Sequence, residues 1–92
     1  MNDKIRRHIY FSGTVQGVGF RYRCRQICDY LGLTGWVRNC FDGCVEMEVQ
    51  GTSRDISELV STLRDQRWIR IDSVESSDVP LEDNETSFRV IG

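Results

Sequence analysis

Residues 5–32 read IRRHIYFSGTVQGVGFRYRCRQICDYLG, and their hydrophobic period changes once. From Ile5 to Ser12 the side chains alternate. Ile5, Ile9 and Phe11 share one face, while Arg6, His8, Tyr10 and Ser12 share the other, which predicts a half-buried strand. Gly13, Gly17 and Gly19 then punctuate a short loop. From Phe20 the apolar positions are Phe20, Cys24, Ile27, Cys28 and Leu31, one stripe of an α-helix that Gly32 can close. Cys24 and Cys28 therefore belong on the core side.

Working outward, Gly35-Trp36-Val37-Arg38-Asn39-Cys40 predicts a second strand, and Asp42-Gly43 is the strongest hairpin signal in the chain. Val45, Met47 and Val49 alternate with Cys44, Glu46, Glu48 and Gln50 in the returning strand, where Glu46 and Glu48 are expected to be solvated. Thr52 followed by Asp55 marks a helix start. Ile56, Leu59, Val60 and Leu63 form the apolar stripe of that helix. Ile69 and Ile71 open a fourth strand expected to end near Ser76, and a polar stretch around Glu82 to Glu85 leads to a short strand at 87–91. The order β-α-β-β-α-β plus an extra strand predicts an α+β, ferredoxin-like two-layer sandwich, with residues 1–92 as one domain and two helices on one face of a mainly antiparallel sheet. A helical crossover makes strands one and two parallel, with the third fitting between them. Their C-terminal ends then share a rim, which makes the glycine loop and Asn39 neighbours in space.

Composition agrees with a sheet-rich fold. The chain has 92 residues, no alanine, nine Val and seven Ile against five Leu. Branched side chains suit a pleated surface. Charged residues make up 28%, with 12 basic against 14 acidic and a formal net charge of -2, a balance that speaks against a nucleic-acid binder. Eleven of the 12 basic residues are Arg, whose planar fork suits carboxylate and phosphate. No apolar run reaches spanning length and the N-terminus lacks a signal-peptide core, so a cytoplasmic protein that touches no membrane is expected. In that compartment Cys24, Cys28, Cys40 and Cys44 should be free thiols. Their two C-x3-C pairs lack the spacing typical of structural zinc, so no metal is assigned to them.

The loop Gly13-Thr14-Val15-Gln16-Gly17-Val18-Gly19 followed by Phe20-Arg21 can act as an anion cradle. Glycines let backbone amides turn inward, and a helix N-terminus adds partial positive charge. Arg21 can add a bidentate clamp on phosphate. The pattern is neither a Walker loop nor a dinucleotide fingerprint, and a tight turn beside a solvated Arg remains open on the pattern alone. No cysteine stands six residues before an arginine, and His8, the single histidine, lies mid-strand as a surface residue. A phosphate enzyme built this way needs a substrate with a good leaving group.

Gly13-x-Val15-Gln16-Gly17-Val18-Gly19-Phe20-Arg21 resembles the first signature of the acylphosphatases. Gly35-Trp36-Val37-Arg38-Asn39, followed by Asp42-Gly43-x-Val45 and Gly51, resembles the second. The similarity runs from about Ile5 to Phe88. It implies a ferredoxin-like fold, Arg21 as the phosphate-binding arginine, Asn39 as the water-orienting asparagine, and Gln16, Gly17, Val18, Gly19 and Phe20 as the loop whose amides hold the phosphoryl oxygens. Asp65-Gln66-Arg67-Trp68 departs from the Gly-Pro often found before the family's fourth strand, and Cys24 and Cys28 stand where Thr and Ala are common.

The resemblance implies hydrolysis of an acyl phosphate to carboxylate and inorganic phosphate, without cofactor or metal. The partners implied are the small acyl phosphate and inorganic phosphate as a product inhibitor, with the protein acting as a monomer. Two other readings fit the topology. One is a non-catalytic ferredoxin-like nucleic-acid-binding domain, which the net charge disfavours. The other is a carbamoyl-phosphate-handling module like the acylphosphatase-like domain of hydrogenase-maturation carbamoyltransferases, which the chain length disfavours.

Overall fold

The computed structural model describes residues 3–92. The elements are β1 (Lys4–Thr14), α1 (Phe20–Leu31), β2 (Thr34–Asn39), β3 (Val45–Thr52), α2 (Ser53–Arg64), β4 (Arg70–Val79) and β5 (Phe88–Val90). The strands form one sheet in the order β4-β1-β3-β2-β5. β3 runs antiparallel to both β1 and β2, so β1 and β2 are parallel as the crossover demands, and β5 adds parallel to β2. This is the ferredoxin-like sandwich expected from the sequence.

The core lies between the helices and one sheet face. Ile9 and Phe11 of β1, Val37 of β2, and Val45, Met47 and Val49 of β3 meet Phe20, Cys24 and Cys28 of α1 and Ile56, Leu59 and Leu63 of α2. Burying each large aliphatic or aromatic side chain contributes about 1.5–3 kcal/mol. Phe20 has a second effect. Its ring meets Phe11 edge-on, with centroids 5.0 Å apart and planes at 60°, a geometry favoured by the ring quadrupoles. Phe20 is also the first residue of α1, so this contact pins the helix N-terminus against the end of β1.

Three sequence expectations change. β4 continues past Ser76 to Val79, because β1 supplies ladder partners out to the pair Arg6–Val79. Its side chains are mostly exposed, so no hydrophobic alternation marked that edge strand. Glu46 is not solvated: only 8% of it is exposed. It gathers His8 Nε2 at 2.6 Å, Arg38 Nη2 at 2.6 Å and the Tyr10 hydroxyl at 3.3 Å. His8 is accordingly a half-buried partner of Glu46 rather than a free surface residue. Burial alone would raise the Glu46 pKa, but the hydrogen bonds from His8 and Arg38 outweigh it and hold the carboxyl below its ordinary range.

The third change concerns the face of the sheet away from the helices. β4 and β5 lie at opposite edges, so the chain between them must cross that face. There Gln50 grips Glu82 twice, accepting from its N–H at 2.9 Å and donating to its carbonyl at 3.1 Å. Arg6, 2% exposed, donates to Glu85 at 2.7 and 3.2 Å and to Glu48 at 2.7 Å. The polar stretch is therefore a strap held by a covered arginine, and Glu48 is its ion-pair partner.

Candidate active site

The site begins where β1 ends. Gly17 and Gly19 have φ of 74° and 78°, a left-handed backbone that side chains with a Cβ rarely adopt. Gly19 is the N-cap of α1 and brings no capping side chain, and the first turn carries no acid. The contrast with α2 is instructive. There the Thr52 hydroxyl accepts from the Asp55 amide, and Asp55 lies in the first turn. Among the described residues, no carbonyl or side chain accepts from the amides of Gln16 to Tyr22. A helix start without a cap leaves several N–H groups seeking an acceptor, with the helix dipole behind them.

A pocket of ≈ 590 Å³ opens at this point, lined in part by Gly17, Gly19, Phe20, Arg21 and Asn39. Arg21 Nη1 donates to the backbone oxygen of Gly92 at 2.8 Å, which anchors one corner of the guanidinium. Among the described residues no Asp or Glu side chain forms an ion pair with it, so its remaining N–H groups can serve a ligand. Asn39 lines the pocket from the end of β2. Its Oδ1 is buried and has no hydrogen-bond partner. A buried acceptor without a donor costs about 1–3 kcal/mol. A donor that reaches this oxygen would relieve that cost.

The structure thus brings five of the seven sequence-derived residues to one pocket. The other two turn their side chains away. Val18 packs against the core, and the Gln16 side chain reaches the β2–β3 turn, leaving only their backbone amides for the loop. Sequence reasoning missed Tyr22, Arg25, Gln26 and Asp29, which also line the pocket. The signal was present: Arg21, Arg25 and Asp29 follow i, i+4 spacing on one helix face, as do Tyr22 and Gln26. Arg25 and Asp29 lie 3.8 Å apart and are well exposed, so their pairing adds little stability. Val90 of β5 lines the pocket as well, which no local pattern indicated.

The four cysteines do not converge. Cys24 and Cys28 lie in the core under α1, whereas Cys40 Sγ faces Glu46 Oε1 at 3.9 Å on the other side of the sheet. All four are free thiols. Burial pushes the Cys24 and Cys28 thiols well up, and it raises Cys40 with help from the Glu46 charge. Among the described residues, no group of three or more His, Cys, Asp or Glu side chains could hold a metal ion. No described helix is long and apolar enough to cross a membrane.

The acylphosphatase family model matches residues 7–90. The chain belongs to the acylphosphatase family. An acylphosphatase of Bifidobacterium longum is 46% identical over 80 residues, covering 86% of this chain and 82% of its own. Among solved structures, an acylphosphatase from Bacillus subtilis superposes with a TM-score of 0.87 at 26% identity, over 96% of this chain and 99% of that one. An acylphosphatase from Coxiella burnetii gives the same TM-score at 33% identity, over 97% and 94%. The acylphosphatase match spans both the glycine loop and Asn39.

Proposed function

We propose that this acylphosphatase-family chain hydrolyses acyl phosphates by direct attack of water on a phosphoryl group held by the amides of Gln16 to Phe20 and by Arg21, with Asn39 holding the water. The observation that carries this reading is that Asn39, whose Oδ1 is buried and unpartnered, lines the same pocket as an uncapped helix N-terminus and Arg21. An acyl phosphate is a mixed anhydride. When the phosphorus–oxygen bond to the acyl group breaks, the electron pair leaves on a carboxylate, which needs no general acid. What remains is to bring water up to an anionic phosphoryl group. Amides and a guanidinium reduce the repulsion and stabilise charge on the equatorial oxygens. Asn39 Oδ1 accepts one water hydrogen and aims the lone pair at phosphorus. The water's proton passes to a phosphate oxygen, giving carboxylate and inorganic phosphate.

Inorganic phosphate fits the same cradle and competes with substrate. The working form proposed is a monomer, and four free thiols suit the cytoplasm. Residues 1–92 act as one domain, without metal or other cofactor. The face on which RNA-binding relatives of this topology stack bases is crossed here by the 80–87 strap and occupied by Glu46, Glu48 and Glu85. That disfavours the nucleic-acid reading.

Arg21→Ala and Asn39→Ala test the roles, because they should fail differently. Arg21→Ala weakens inorganic phosphate binding and lowers turnover, and Arg21→Lys is also poor because a point charge replaces a fork. Asn39→Ala costs roughly 3–4 kcal/mol in turnover, the scale of one preorganised group, while phosphate affinity stays near wild type. Steady-state kinetics with benzoyl phosphate in EDTA, with circular dichroism as the folding control, reads both. Equal loss of phosphate binding in the two variants sinks the water-holding role, and activity that vanishes in EDTA and returns with zinc sinks the metal-free mechanism.

A further inference from the structure

Gln16 sits in the phosphate loop, yet its side chain serves a different part of the molecule. Its Nε2 carries two hydrogens. One goes to the Cys40 carbonyl oxygen at 2.8 Å and the other to the Cys44 carbonyl oxygen at 2.9 Å. These carbonyls stand on the two sides of the turn between β2 and β3, where the Cys40 amide also donates to the Cys44 carbonyl at 2.8 Å. Asn39 immediately precedes Cys40. A single side-chain amide from the cradle thus grips, from both sides, the segment that carries the proposed water-holding residue.

We propose that Gln16 is a positioning residue that sets Asn39 against the phosphoryl cradle, acting through the Cys40 and Cys44 carbonyls. This rests on the reading of Asn39 as the water acceptor. Gln16 is 24 and 28 positions from its two partners, so chain connectivity alone does not fix the distance between loop and turn. Asn39 Oδ1 has no protein donor to hold its direction, and its aim follows the backbone on which it stands. A 1 Å misplacement of a reacting group can cost about 10²-fold in rate. The amide suits this task chemically. It donates twice without adding charge beside the phosphate, whereas a carboxylate at the same place would face two carbonyl oxygens with lone pairs.

Gln16→Met retains length and approximate volume but removes both donors. With benzoyl phosphate its kcat should fall about 10- to 100-fold, while KM and inorganic phosphate affinity stay within about twofold of wild type. In the Asn39→Ala background the same substitution should change kcat by less than about twofold, because the residue through which it acts is gone. If Gln16→Met does not fold by circular dichroism, Gln16→Asn, which withdraws the donors by one methylene, should show the same pattern at smaller size. The proposal is overturned if Asn39→Ala is impaired while the Gln16 variant turns over like wild type, or if the two losses multiply in the double variant as for independent sites. Wild-type turnover in Asn39→Ala removes the water-holding role itself, and this proposal with it.

Discussion

Arg6→Met removes the cation beneath the 80–87 strap while leaving a side chain of similar length. Arg6 is 2% exposed and holds Glu85 through both of its oxygens, with Glu48 and the Gln50 side-chain oxygen at its flanks. Breaking a buried ion pair by removing one partner costs about 3–5 kcal/mol, because the remaining charge is stranded. The Glu85 side chain is 11% exposed, so it bears most of that cost. The Glu48 side chain is 24% exposed and can partly rehydrate, so the low end of the range, about 3 kcal/mol, is expected. For a domain of this size that corresponds to about 12–24 °C in Tm. The strap leads into β5, and Gly92 beyond it holds Arg21, so phosphate binding should weaken as well. Urea unfolding followed by circular dichroism at pH 7 gives the stability, and isothermal titration with inorganic phosphate gives the binding. Adding Glu85→Gln to Arg6→Met should recover at least half of the loss, because a neutral amide replaces the stranded carboxylate. A cost under about 1 kcal/mol, the value of an exposed pair, or no recovery in the double variant, would refute the account of the strap.

Gly19→Ala meets no atom within 4 Å of the added Cβ but must hold φ near 78°. It should therefore lose about 1–2 kcal/mol through backbone strain alone and bind phosphate more weakly, and unchanged binding by calorimetry argues against the amide cradle. Iodoacetamide at neutral pH should alkylate Cys40 and Cys44 before Cys24 and Cys28, whose buried thiols stay protonated; mass spectrometry of the native protein showing Cys24 or Cys28 modified first contradicts this. Glu46 and Glu85 both titrate below the ordinary carboxylate range in the folded protein. Their contribution is then fully present above the unfolded-state value near ~4.3 and is lost as pH falls through the folded values. Stability should be level near neutrality and drop in acid, with a shallower acid limb in Glu46→Gln; a steeper limb in that variant reverses the assigned sign.

The amino-acid sequence by itself determined the elements and the rim on which the site stands. The shift from alternation in Ile5–Phe11 to helical spacing from Phe20 is a local signal. So are the Asp42-Gly43 turn and the Thr52 cap. Once β1 and β2 are joined through a helix, chain geometry places the glycine loop beside Asn39. Tertiary structure alone decided the rest. Glu46 reads as an outward-facing strand residue, and its burial depends on His8 and Arg38 arriving from two neighbouring strands. Arg6 looks solvated until the strap crosses from one sheet edge to the other. Gln16 reads as one more loop position, and only the folded chain shows its amide bridging two carbonyls 24 and 28 residues away. The physical reason is common to all three. Hydrophobic period and turn chemistry are properties of adjacent residues, whereas the partner of a polar side chain is set by whichever distant segment comes within hydrogen-bond reach.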